Sequence, residues 1–319
     1  VASSDIHLAQ EKASSTQGAV AMTTLGLDVG ATTIKGAAVD DDGMILARHT
    51  EYTPSEGTSR EIEDAIVRCL EILRDEVPTA RAVGLAAAGW IGADRRSVIF
   101  SANFPSWREE PLVEQLEARS GLPVVLENDA NAAAWGEFRF GAGAGTNSMA
   151  AITLGSGVGG ALVVNGALVR GFQGAAGEIG HSVMITDGYP CNCGRHGCME
   201  NYVSGRSINR RALPVLGDAD LYALARAGDE RALELYTQFG GYLGRGLANV
   251  AMLVNPERVV VSGGVAEAFD LFVEPAMAAM RAELGPAWQA LAPTFAVGML
   301  GSDAGRLGAA DLARSAVTH

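Results

Sequence analysis

Residues 28–46, DVGATTIKGAAVDDDGMIL, have a counterpart at 153–169, TLGSGVGGALVVNGALV. Each reads as an apolar strand, a glycine-rich tight turn, a second strand, a polar turn containing glycine, and a third strand. A chain that repeats this ribbon is constrained to build two similar lobes. Each lobe then presents a glycine turn, and the two turns face a common cleft. The GAGAG stretch at 141–145 suits a flexible connection near the lobe boundary.

The rest of the chain alternates between strand and helix patterns. Ile62, Ile66, Cys69/Leu70, Leu73 and Val77 recur at helical spacing before Pro78, so an amphipathic helix is expected there, with Cys69 as a core thiol. AVGLAAAG at 82–89 and LPVVLEN at 122–128 are unbroken apolar runs of the kind that form buried parallel strands. A long helix is expected over residues 229–254, followed by the strand RVVVSGG and another helix. With 319 residues and 48% hydrophobic content, the chain supports two domains with substantial cores. A formal charge of −13 argues against nucleic acid or an anionic membrane as partner, since either calls for a basic patch. No apolar run approaches the length needed to span a bilayer. Residues 1–23 are small and polar without an apolar core segment, so they read as a disordered extension rather than a secretory signal. Met22 is a candidate alternative start.

Glycine lets several backbone N–H groups converge on a phosphate with no Cβ in the way. Gly30, Thr32 and Thr33 fit that use, the hydroxyls adding donors, and Gly155, Ser156, Gly157, Gly159 and Gly160 repeat the device. Neither turn is a Walker loop, and a strand rather than a helix follows the second. Asp28 ends the first strand, where a carboxylate can hold Mg²⁺ directly or through water. In LENDANAAA, Glu127, Asn128 and Asp129 stand at a strand end that opens a helix. Helix capping alone would account for them, yet carboxyl ends of parallel strands are also where open α/β sheets bind ligands.

GHSVMITDGYPCNCGRHGCMEN, residues 180–201, concentrates three of the four cysteines and two of the five histidines. Three clustered thiols with no signal peptide favour a reducing compartment, the cytoplasm, and a metal. Tetrahedral zinc takes four N or S ligands, and Cys191, Cys193, Cys198, His181 and His196 are five candidates.

With these motifs the chain resembles the ROK family (repressors, ORFs, kinases) of the actin-like, ribonuclease H-like superfamily. The resemblance covers residues 24 to about 315. It rests on LGLDVGATTIKGAAVD, LENDANAAAWGE, TLGSGVGGALV, GEIGHSVMITDGYPCNCGRHGCME and VVVSGGVA, and within the family it is most like ATP-dependent glucokinases. It implies a two-lobed α/β fold with a duplicated core: a small lobe of residues 24–131 plus 302–319, and a large lobe of residues 132–301. It also implies transfer of the γ-phosphate of ATP to the C6 hydroxyl of glucose, with Asp129 as general base. Asn103, Asn128, Asp129, Glu178, His181 and Glu200 would surround the sugar. Asp28, Gly30, Thr32, Thr33, Lys35, Thr153, Gly155, Ser156, Gly157, Gly263 and Gly264 would hold Mg-ATP. The family pattern selects His181 with Cys191, Cys193 and Cys198 as zinc ligands and leaves His196 in the loop. Such a closed site is structural, expected to shape the sugar pocket and to affect nucleotide binding less. A homodimer or higher homo-oligomer is expected. The chain departs from the family at Ala31, where a second glycine is usual. Other outcomes within the family are a kinase for N-acetylglucosamine, N-acetylmannosamine, mannose or fructose, use of polyphosphate, and a sugar-sensing repressor. The repressor would carry an N-terminal helix-turn-helix, for which the opening residues lack apolar periodicity.

Overall fold

The computed structural model describes residues 22–317, so the expected N-terminal extension lies outside it except for its last two residues. Each copy of the repeated ribbon nucleates a five-stranded sheet. In the first sheet, β1 (Thr24–Val29), β2 (Thr33–Val39) and β3 (Ile45–Tyr52) form the antiparallel ribbon, and β4 (Val83–Ala87) and β8 (Val124–Asn128) extend it in parallel, in the order β3-β2-β1-β4-β8. In the second, β9 (Met149–Leu154), β10 (Val158–Val164) and β11 (Ala167–Leu168) form the ribbon, extended by β12 (Arg258–Ser262) and β13 (Thr294–Val297), in the order β11-β10-β9-β12-β13. The two topologies match strand for strand, as the repeat implied. A third sheet of β5 (Trp90–Ile91), β6 (Val98–Phe100) and β7 (Arg108–Glu110) was not foreseen. Its strands are too short to show a period.

Helices cover the sheets. α1 (Ser59–Glu76) starts at a capping box in which Thr58 accepts from the Glu61 N–H while Glu61 accepts from the Thr58 N–H. It buries Ile62, Ile66, Cys69, Leu70 and Leu73 against the first sheet. Cys69 has no exposed surface, and burial pushes its thiol up to about 12, so it is the inert core residue expected. α2 (Leu112–Ser120) packs beside α1. On the second sheet α4 (Glu200–Val203), α5 (Gly205–Leu216), α6 (Leu221–Arg226), the long α7 (Glu230–Val254) and α8 (Phe269–Trp288) share one apolar cluster centred on Phe239, Leu243 and Phe272.

Two helices decide where the cleft lies. α3 (Asp129–Phe140) runs on directly from β8 and packs against both β10 and α9 (Ala304–Val317). α9 in turn lies on β1 and β4. Gly136 of α3 and Gly308 of α9 meet the partner helix's backbone so closely that a Cβ on either has no room. The helices therefore cross at near contact. The expected boundary between residues 131 and 132 falls inside α3. The first residue of that helix, Asp129, thus follows the last strand of the first sheet on a helix that packs against the second.

Candidate active site

Both glycine turns close on themselves in a similar way. The Gly30 N–H donates to the Thr33 carbonyl at 3.0 Å, and the Gly155 N–H to the Gly157 carbonyl at 3.0 Å. Among the described residues, no protein acceptor takes the N–H groups of Ala31 and Thr32 in the first turn or of Ser156 and Gly157 in the second. Four donors are therefore free for an anion. Ala31 does not have a positive φ, so its methyl group carries no backbone strain in the place of the usual glycine.

Asp28, on the strand leading into the first turn, pairs in register with Lys35 across the ribbon. Its carboxyl is pushed up to about 6, first by burial and then by the charge of Asp129, with Lys35 and Arg306 opposing. Asp129 is also raised, mainly by burial. The two carboxylates thus share one field at the end of β1 and the start of α3. The Ala130 N–H (2.9 Å) and the Asn128 Nδ2 (3.0 Å) both donate to Asp129 Oδ1, which leaves Oδ2 to accept a proton. Asn128 also caps the helix, accepting from the Asn131 N–H at 3.1 Å, so capping and an acid with one unpaired oxygen coexist in this turn.

Beneath them sits a residue whose importance the sequence did not reveal. Glu127 is 3% exposed. Its carboxylate accepts from Arg170 Nε (2.7 Å), Asn131 Nδ2 (3.0 Å) and the Asn128 N–H (3.1 Å), with Arg95 Nη2 at 3.4 Å. Arg170 follows β11 in the second sheet, so this buried ion pair ties the two halves together at the root of the acid. Nothing local in the sequence marks Arg95 or Arg170 as partners.

A small cavity of about 70 Å³ beside Asn128 is lined by Trp90, Asn131, Gly174, Ala176 and Glu178. It joins two of the expected sugar residues, Asn128 and Glu178, to others not expected. Trp90 donates its indole N–H to the Gln173 carbonyl at 2.7 Å, joining β5 to the loop before Glu178. Asn103 is exposed on the loop after β6 and lines none of these walls. Glu200, the first residue of α4, accepts from the Val158 N–H at 3.0 Å.

His181, Cys191, Cys193 and Cys198 converge, their ligand atoms all within 4.8 Å of one another. Cys191 Sγ lies 3.6 Å from His181 Nδ1, and Cys193 Sγ 3.6 Å from Cys198 Sγ. A tetrahedron of zinc–sulfur bonds near 2.3 Å has edges of about 3.8 Å, so the set fits the ion. The thiols point the same way. Cys193 is pulled down to about 6, first by the Arg195 N–H, while Cys198 is pushed up to about 12 by burial and by its neighbouring thiols. Such a cluster releases one proton easily and resists losing the next, a conflict a divalent cation removes. His196 is exposed and outside the group.

Gly263 has φ 90°, and a Cβ there would overlap the Leu154 backbone. It follows β12 beside Leu154, which leads into the second turn, and precedes Gly264. A cavity of about 910 Å³ opens there, bounded by Gly264, Val265, Glu267, Arg206, Asp220 and Tyr222 among others. Of these, only Gly264 carries a sequence signal.

Two sheets of matched topology, each carrying a glycine turn, and the likeness to ROK kinase structures define the actin-like, two-lobed class of α/β fold. The chain belongs to the ROK family, whose model matches residues 24–316. A glucokinase of Streptomyces coelicolor is 41% identical over 91% of this chain and 97% of its own length. Among solved structures, a ROK family glucokinase from Streptomyces griseus, in complex with glucose and AMPPNP, is 39% identical with a TM-score of 0.77, covering 92% of this chain and 99% of that one. A ROK hexokinase from Thermus thermophilus is 35% identical with a TM-score of 0.83, covering 93% and 99%.

Proposed function

We propose that the protein transfers the γ-phosphate of ATP to the C6 hydroxyl of glucose. The observation that carries this reading is the setting of Asp129. Its Oδ1 is held by two N–H donors, its proton affinity is raised, and it follows directly on Asn128, which lines the small cavity together with Glu178. Glucokinase relatives at 41% identity, and a 39% identical structure solved with glucose and an ATP analogue, favour glucose and ATP over the alternatives.

In this reading Asp129 Oδ2 takes the hydroxyl proton as the sugar oxygen attacks the phosphorus. A positioned base contributes about 10²–10⁴-fold, and in-line placement supplies more. Asn128, Glu178, the outer ring nitrogen of His181 and the second oxygen of Glu200 meet the ring hydroxyls, with Asn103 joining from the small lobe. The free N–H groups of the two turns, the hydroxyls of Thr32, Thr33, Thr153 and Ser156, and Lys35 meet the phosphates. Gly30, Gly155, Gly157, Gly263 and Gly264 allow the close approach, and the 910 Å³ cavity takes the nucleoside. Mg²⁺, when bound near Asp28, neutralises charge on the phosphates. His181, Cys191, Cys193 and Cys198 would hold zinc, which would supply a structural clamp on this loop rather than a partner for a reacting atom. The lobes divide at residues 24–131 plus 302–319 and 132–301. No helix among the described residues is long and apolar enough to cross a membrane. A cytoplasmic setting suits thiols that must stay reduced, and a homo-oligomer is part of this reading.

The test is a coupled assay with Mg-ATP across a hexose panel. Glucose should exceed the N-acetylated hexosamines in kcat/KM by about tenfold or more, the size of effect one unmatched substituent produces. Absence of turnover with every hexose would overturn the reading.

A further inference from the structure

The second glycine turn is strapped from outside by one short segment, residues 198–206. Glu200 Oε2 accepts from the Val158 N–H at 3.0 Å, the Gly205 N–H donates to the Gly155 carbonyl at 2.7 Å, and Arg206 Nε donates to the Ser156 carbonyl at 2.6 Å. The contact is tight: a Cβ on Gly157 would come within 2.6 Å of the Glu200 carboxylate. The strap is itself anchored. It begins at Cys198, a member of the metal cluster with no exposed surface, and the Met199 N–H donates to the Ser182 carbonyl beside His181 at 2.9 Å. At its far end Gly205 and Arg206 line the large cavity. Sequence distance hides all of this, because the turn and the strap lie some forty residues apart yet touch at three points.

We propose that Glu200 is a positioning residue for the nucleotide as well as a sugar residue: it holds the second phosphate turn in its anion-binding shape and ties that turn to the metal knuckle. Its carboxylate serves both sites, one oxygen on Val158 and the other open to the sugar. Filling either site therefore stiffens an element used by the other, and the two ligands bind with positive coupling. The sugar half of this inference rests on the kinase reading above; the strap on the phosphate turn does not. It also extends the influence of the metal knuckle to the nucleotide, though with a smaller effect than on the sugar, since Cys198 and Glu200 are two residues apart on one anchored segment.

The experiment is calorimetric titration of Mg-AMPPNP into the protein with no sugar present. Glu200→Ala removes the acceptor and Glu200→Asp withdraws it by one methylene; each should weaken nucleotide binding about fivefold or more, the effect of losing one charge-assisted hydrogen bond from a preorganised site. Glu200→Gln keeps a carbonyl oxygen for the Val158 N–H and should bind within about twofold of the parent. A residue serving only the sugar cannot move this sugar-free measurement. Nucleotide affinity unchanged in both the Ala and Asp variants would overturn the proposal. Bound metal and the unfolding midpoint are recorded for each variant; where a Glu200 variant does not fold, Gly157→Ala disturbs the same contact from the turn side and should weaken nucleotide binding likewise. A parent protein that binds AMPPNP but not glucose would sink the kinase reading and leave the strap measurement intact.

Discussion

The two sheets share a topology but not a chemistry. At the fifth position of the central strand the first sheet has Asp28 and the second has Thr153. Across the antiparallel neighbour these face Lys35 and Gly159, and across the parallel neighbour Ala86 and Ser262. The first turn is held by its own ribbon, through the Thr53 N–H on the Thr32 carbonyl at 3.0 Å, whereas the second is strapped from a distant segment. Each sheet carries a turn with N–H groups left unpaired among the described residues. The first has Asp28 and Lys35 beside it, whereas the second is mounted from outside by Glu200, Gly205 and Arg206. A phosphoryl-transfer site needs both, because charge must be placed and the donors must not relax away from it.

Breaking the charged side at the acid should have the largest effect. Asp129→Asn keeps the shape and the two N–H contacts near Oδ1 yet cannot accept a proton, so kcat should fall by about 100-fold or more while glucose binding is retained. Steady-state kinetics with a separate glucose titration checks this, and a variant retaining more than about a tenth of the activity contradicts the role. Removing the metal attacks the other side. Cys193→Ser, or chelation, loosens His181 and Glu200 together. Glucose affinity should fall about tenfold or more and nucleotide affinity about fivefold, as two hydrogen-bonding partners and one strap lose their positions. Measured separately on metal-depleted protein, unchanged glucose affinity with lost turnover would mean the metal does chemistry rather than shaping the site.

This asymmetry bears on what could be read from residues alone. The ribbon repeat was legible because its spacing and glycines are local, and it marked the three-stranded ribbon of each sheet in advance. The Cys–His cluster was legible because three of its members lie within eight residues; the family pattern chose His181 over His196, and the structure brings together that same set. Glu127 with Arg170 and Arg95, the Trp90 contact, and Arg206 on Ser156 left no trace, since each pairs residues from separate elements with no shared period. Glu200 was read as a sugar residue only. Its hold on Val158 depends on how α4 docks beside β10, which periodicity does not encode.

Alanine scanning of the turns sharpens the comparison with smaller effects. A Cβ at Gly155 meets nothing within 4 Å, at Gly30 it lies 3.2 Å from the Thr33 carbonyl, and at Gly157 it lies 2.6 Å from Glu200. None of the three has positive φ, so space rather than backbone strain decides. Gly157→Ala should weaken AMPPNP about fivefold, Gly30→Ala less, and Gly155→Ala within about twofold. Equal losses at Gly155 and Gly157 would mean the strap does not matter.

The smallest effect concerns stability rather than rate, and it separates Asp28 from Thr153 most cleanly. The folded protein holds the Asp28 proton up to about pH 6, against an ordinary carboxylate value of 3.8. Because the folded pKa is raised, the associated stability is fully present below the unfolded value and is lost as pH rises through about 6. Asp28→Asn removes that titration. In the absence of Mg²⁺ it should therefore raise the unfolding midpoint relative to the parent at pH 8, by about 5–10 °C. At pH 4, where the folded parent is already protonated at this site, the difference should shrink. Nucleotide-dependent turnover of the parent should run the opposite way, falling as pH drops through about 6, since Asp28 must be ionised to act. Thr153→Ala, at the matching position of the second sheet, carries no proton to lose, so its midpoint should track the parent at every pH. A pH-dependent gap for Thr153→Ala equal to that for Asp28→Asn would show that the slope comes from elsewhere and that the charge is not confined to the first sheet.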